Sequence, residues 1–178
     1  MNIMNAFHNH ISDLTIWSRA LAVSLKFKLA NTEDVYNRLL KETGDMNVIM
    51  STFFGSENAD QFSNLLTRQI ATYRHLIEAL LANNSQEAGE NLGELYQIAD
   101  DMSTFFAKLN PRWSKELWQS LIRQYYLMLY YEAFAIVSDN YTGEIELFDN
   151  LIKQSYLIGE YISNVVISNL HLPTVKSL

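Results

Sequence analysis

The chain has no cysteine, and only 2 prolines, 6 glycines and 4 histidines in 178 residues. Without cysteine there are no disulfides, no thiolate zinc sites and no cysteine nucleophile. The scarcity of proline and glycine leaves few places where a helix is forced to stop. Basic residues are also few: 13 Lys and Arg face 20 Asp and Glu, giving a formal charge of −7. They never form a run, so the electrostatic footprint of a nucleic-acid binder is missing. An acidic surface disfavours anionic membranes as well. Long apolar runs are absent too. The most apolar stretch, Tyr125 to Val137, is interrupted by Glu132, and a membrane-spanning helix needs ~20 apolar residues. Met1 to Ile11 has neither the basic start nor the apolar run of a signal peptide. The expected location is therefore the cytoplasm, with neither nucleic acid nor membrane as a partner.

What is present is apolar and aromatic content, 48% and 12% of the chain. This excludes disorder. A chain of this length forms one domain, residues 1–178, burying ~70% of the surface its unfolded form exposes. Strand-type alternation is missing, and the breaks divide the sequence into six helical stretches. Helix 1 is expected from about Asn5 to Leu29. Asn31 or Thr32 caps helix 2, which ends at Phe54, with Gly55 free to take a left-handed conformation. Ser56 opens helix 3, which ends at Asn83-Asn84; Ser85 caps helix 4, which Asn110-Pro111 stops. Ser114 caps helix 5, which ends near Ser138. Thr142-Gly143 opens helix 6, and His171-Leu172-Pro173 closes it. Short loops make neighbouring helices antiparallel. The expected fold is an all-α, antiparallel, up-down bundle of about six helices, with a ferritin-like or four-helix-bundle type of core.

The chain also resembles itself. Met50-Ser51-Thr52-Phe53-Phe54 recurs as Met102-Ser103-Thr104-Phe105-Phe106, and Leu65 to Gln69 aligns with Leu121 to Tyr125. The offset grows from 52 to 56 residues, which places an insertion of four around Asn110-Pro111. An internal pseudo-repeat of helical hairpins is expected, with helices 3 and 5 in equivalent places.

Polar residues interrupt the core-facing lines. Helix 1 carries Phe7, Ile11, Leu14, Ser18, Leu21 and Leu25. Helix 3 carries Phe62, Leu66, Gln69, Tyr73, Leu76 and Leu80. Helix 5 carries Trp118, Ile122, Tyr125, Leu129, Glu132 and Ile136. Helix 6 carries Leu147, Leu151, Gln154, Ile158, Tyr161 and Val165. A buried carboxylate needs a partner or a shifted pKa, so Glu132 is expected to meet Arg19, Arg68, Arg123 or a tyrosine hydroxyl. Gln69, Tyr125, Glu132, Gln154 and Arg19 are the candidate ligand-binding residues.

Other constellations are weaker. No glutamate has a histidine three residues later, as a ferritin-like di-iron site requires. His8-x-His10 chelates a metal only if extended, and His75 with Glu78 is a solvated pair. Glu87, Glu90 and Glu94 form a solvated acidic stripe that favours the start of helix 4. Tyr125, Tyr126, Tyr130 and Tyr131 surround helix 5 with aromatic groups, suited to core packing or to a partner surface. No catalytic triad assembles, and no catalytic residue is assigned.

Trp17-Ser18-Arg19, Phe53-Phe54-Gly55, Phe105-Phe106 with Asn110-Pro111-Arg112-Trp113, Glu132, and Phe148-Asp149 together resemble a family of small helical proteins from spore-forming Gram-positive bacteria. The resemblance spans about residues 8–173. Members often carry the label acetylglutamate kinase. The chain has no glycine-rich phosphate loop and no βαβ pattern to support a kinase. The resemblance implies histidines on helices 1, 3, 5 and 6 that hold a metal. Those positions correspond here to Leu14, Gln69, Tyr125 and Gln154, none of which is a histidine. The expectation is thus a non-enzymatic binding or interaction protein with a polar and aromatic pocket. Its partner is an unidentified small molecule or protein; a homodimer is allowed, and no cofactor or metal is expected. The alternative is a ferritin-like metalloprotein in which Glu132, Glu160 and Asp149 take over from the missing histidines.

Overall fold

A computed structural model describes residues 3–170. They form α1 (Ile3–Lys26), α2 (Thr32–Phe54), α3 (Ser56–Leu81), α4 (Ser85–Leu109), α5 (Lys115–Val137) and α6 (Tyr141–Leu170). Among the described residues there is no strand. The expected closure of the last helix at His171-Leu172-Pro173 lies outside them.

Three helices end in the same way. After α1, α3 and α5 a non-glycine residue adopts positive φ: Lys28 at 50°, Asn83 at 53° and Asp139 at 61°. The next N–H then reaches back to the carbonyl five residues earlier, Leu29 to Ser24, Asn84 to Ala79 and Asn140 to Ala135, at 2.9–3.0 Å. These are Schellman closures, which satisfy carbonyls left free at a helix end. Asn84 and Asn140 also begin the next helix. The Asn84 side chain accepts from the Glu87 N–H and that of Asn140 from the Gly143 N–H. One residue thus closes one helix and caps the next, which leaves only three residues in each loop. The cap of α4 is therefore Asn84 in place of the expected Ser85, because its side chain is the one that reaches an N–H three residues on. Ser114 caps α5 as expected, accepting from the Leu117 N–H at 3.2 Å.

The α2–α3 junction is tighter. Gly55 alone separates the helices, at φ 82° and ψ 161°. Its φ is positive as expected, but its ψ is extended, so the chain reverses within one residue. The matching α4–α5 junction contains Asn110 to Ser114, four residues longer. Asn110 is extended ahead of Pro111. The buried Trp113 pins this loop against Phe54, Phe106 and Trp118, with ring centroids 5.4–5.8 Å apart.

Each helix packs on its neighbours in sequence, and α6 returns onto α1 to close the ring. The helices α1, α3 and α5 also touch one another through the middle. They are the inner helices, with α2, α4 and α6 outside. The three core lines share one register. Leu25, Leu80 and Ile136 each precede the positive-φ residue by the same three positions. Five layers follow toward the helix starts: Leu21, Leu76 and Glu132; Ser18, Tyr73 and Leu129; Leu14, Gln69 and Tyr125; Ile11, Leu66 and Ile122; Phe7, Phe62 and Trp118. Every residue of these five layers is buried.

Candidate functional site

The inner helices bring two features together along the bundle axis. The first is a cavity of about 60 Å³. All six helices line it, with Leu14, Gln69 and Tyr125 contributed by the inner three and Ile158 by α6. Its walls are almost entirely apolar and aromatic, with Gln69 the one non-aromatic polar residue among them. Such a space exceeds what one water molecule needs, ~10–15 Å³. The second feature is a layer of polar groups one or two turns away. Tyr125 links the two. Its hydroxyl lies 2.9 Å from Thr15 Oγ1, which donates to the Ile11 carbonyl. Tyr125 must therefore be the donor to Thr15.

Glu132 lies at the centre of the polar layer and is fully buried. Among the described residues neither of its oxygens has a hydrogen-bond partner, nor do Ser18 Oγ, Tyr73 Oη and Gln69 Nε2. Arg19 is its nearest cation, with Nε 3.8 Å from Oε1. The guanidinium is nevertheless held by another acid. Its Nε and Nη2 both donate to Glu144, while Phe148 stacks 4.8 Å beneath it. Burial raises the Glu132 pKa to about 8; the Glu144 charge adds to this and Arg19 opposes it. At neutral pH the group is mainly an uncharged acid, able to donate one hydrogen bond. Burial also pushes Tyr73 and Tyr125 well up, and both feel Glu132. These groups hold and orient protons but include no activated nucleophile.

The expected site residues divide. Gln69 and Tyr125 line the cavity, and Arg19 and Glu132 belong to the polar layer. Gln154 is buried but stands apart, donating to the Leu121 carbonyl at 3.0 Å. It is a satisfied link between α5 and α6. Of the three arginines considered for Glu132, Arg68 pairs with Glu94 and Asp101, and Arg123 with Asp100. Glu160 and Asp149 are exposed. Among the described residues they do not join Glu132 in any group of metal-ligating atoms.

Sequence reasoning missed Glu144, Tyr73 and Ser18 as site residues. Glu144 falls in the first turn of α6, where an acidic residue is ordinary. The signal that could have found Tyr73 and Ser18 is the shared register, since both stand one turn from a cavity-lining residue. No protein family, curated protein or solved structure matches the chain.

Proposed function

We propose that the protein is a non-enzymatic binding protein whose bundle core takes a small ligand of a few heavy atoms. The observation that carries this reading is an apolar cavity with the unpartnered Gln69 among its lining residues and further unpartnered buried polar atoms one and two turns along the bundle axis. A core built only for stability does not leave Gln69 Nε2, Tyr73 Oη, Ser18 Oγ and both oxygens of Glu132 without partners, because each costs about 1–3 kcal/mol. A ligand with a short aliphatic body suits the walls. Gln69 offers a free donor, so the ligand carries an acceptor such as a hydroxyl or carbonyl oxygen. A cavity of 60 Å³ is smaller than the ~150 Å³ that accommodates benzene, which favours short chains over rings.

The equal loop closures and the shared core register support an internal pseudo-repeat, extended by the same arithmetic from α3 and α5 to α1. Three of the four positions that the family resemblance assigns to histidines, Leu14, Gln69 and Tyr125, meet at one cavity. This supports both the alignment and a ferritin-like ancestry in which the metal centre has become an organic pocket. A cytoplasmic location belongs to the same reading.

Isoleucine methyl NMR with methanol as the probe tests the proposal. Saturable shifts are expected at Ile11, Ile122 and Ile158, with Ile145, an exposed residue, unmoved. Leu14→Phe fills the space and should abolish the shifts. Absent or non-saturable shifts at the cavity residues contradict the proposal.

A further inference from the structure

A second polar cluster lies outside the core, where α1 meets α2. His10 and Asp13 are one turn apart on α1, and Glu42 and Asp45 one turn apart on α2. One ligand atom each from His10, Asp13 and Glu42 lies within 4.8 Å of the other two. Ligand atoms held tetrahedrally at about 2.1 Å from a metal stand about 3.4 Å apart, so small side-chain rotations would close the set. We propose that His10, Asp13 and Glu42 form a binding site for a first-row divalent cation of the Zn²⁺ type.

Three observations support this. Glu42 is fully buried and preset: Arg38 donates to its Oε1, and His10 Nδ1 lies 2.9 Å from its Oε2. Arg38 is itself anchored over the Trp17 ring, 4.9 Å from the centroid. A ligating carboxylate fixed by an outer hydrogen bond is the usual arrangement around metals. The second observation is Asp13, which is half-buried, makes no hydrogen bond among the described residues, and has a carboxylate oxygen within 4.8 Å of the ligand atoms of Glu42 and His10. A cation between the two carboxylates would bridge them, while Arg38 holds the outer face of Glu42 through Oε1. The third is donor chemistry. One imidazole with two carboxylates suits Zn²⁺ and its neighbours, whereas Ca²⁺ and Mg²⁺ prefer oxygen alone.

The expectation of no metal rested on the lack of cysteine, on the missing Glu-x-x-His spacing and on the absence of histidine at Leu14, Gln69, Tyr125 and Gln154. The present set runs in the opposite order, His10-x-x-Asp13 on one helix facing Glu42-x-x-Asp45 on the next. It shares no residue with the core cavity, so either proposal can fail without the other.

Titration calorimetry of the chelator-treated full chain with Zn²⁺ provides the test, with Co²⁺ absorbance as a second readout. One equivalent should bind, with a tetrahedral-type Co²⁺ spectrum, and millimolar Mg²⁺ or Ca²⁺ should not displace it. Asp13→Asn should weaken binding at least tenfold. It removes no hydrogen bond, so its metal-free melting temperature should equal or exceed that of the parent. His10→Asn should weaken binding similarly, and His75→Asn, at an exposed site, should leave it unchanged. No binding, or Zn²⁺ affinity that Asp13→Asn leaves intact, overturns the proposal.

Discussion

Single residues carry opposite tensions in this bundle. Glu132 is held inside by the packing of its helix although no donor among the described residues hydrogen-bonds its oxygens. Arg19 stands close enough to feel it but spends its directional hydrogen bonds on Glu144. A lone buried carboxylate resolves such a position by keeping its proton. Gly159 shows the steric counterpart. A Cβ built there would lie 2.5 Å from His8 Cδ2 and 3.1 Å from His8 Cα. The backbones of α1 and α6 therefore approach closely, and the ring cannot simply swing aside because the α1 backbone is also in the way. Gly159→Ala should lower stability by about 1–3 kcal/mol, the usual range for overpacking. Urea unfolding will show this as a lower midpoint at unchanged slope; an unaltered midpoint would mean that the helices can separate freely here.

At the level of elements, junction chemistry decides the topology. Gly55 occupies a φ/ψ region that is essentially restricted to glycine. Gly55→Ala should cost roughly 1–3 kcal/mol, measurable by thermal unfolding, although open space surrounds its Cβ position. A smaller effect would mean that the junction relaxes. Most of this level was legible in the sequence. Helix ends fell within a few residues because Gly55, Asn83-Asn84, Pro111 and Asn140 are local signals that act within one turn. The core lines of α1, α3 and α5 were legible because burial follows the helical period. The partners of Glu132 were not: whether Arg19, Arg68 or Arg123 faces it depends on helix rotation and on competing acids such as Glu94 and Asp100. The His10, Asp13 and Glu42 cluster was hidden for the same reason, since it forms only when α1 and α2 take one particular register.

The whole molecule is organised around three inner helices in common register, with an apolar cavity and a polar layer stacked along their axis. The six helices are joined by loops so short that each must pack on the next, and α6 closes the ring on α1. No helix among the described residues is long and apolar enough to cross a membrane. The central claim is that the polar layer is a buried site governed by a neutral Glu132, flanked by Arg19, Glu144, Tyr73 and Tyr125. Its direct consequence is a pH dependence of global stability. The folded-state pKa of about 8 lies above the ordinary 4.5, so between these values the native state holds a proton that the unfolded chain has lost. Stability therefore falls as pH rises through this window, at up to roughly 1.4 kcal/mol per pH unit. The decisive measurement is unfolding free energy from pH 4 to 9 for the parent chain and for Glu132→Gln. The parent should lose stability relative to the variant from about pH 4.5 to about 8 and run parallel to it above. Curves that stay parallel throughout the window would show that Glu132 ionises normally and would contradict the account.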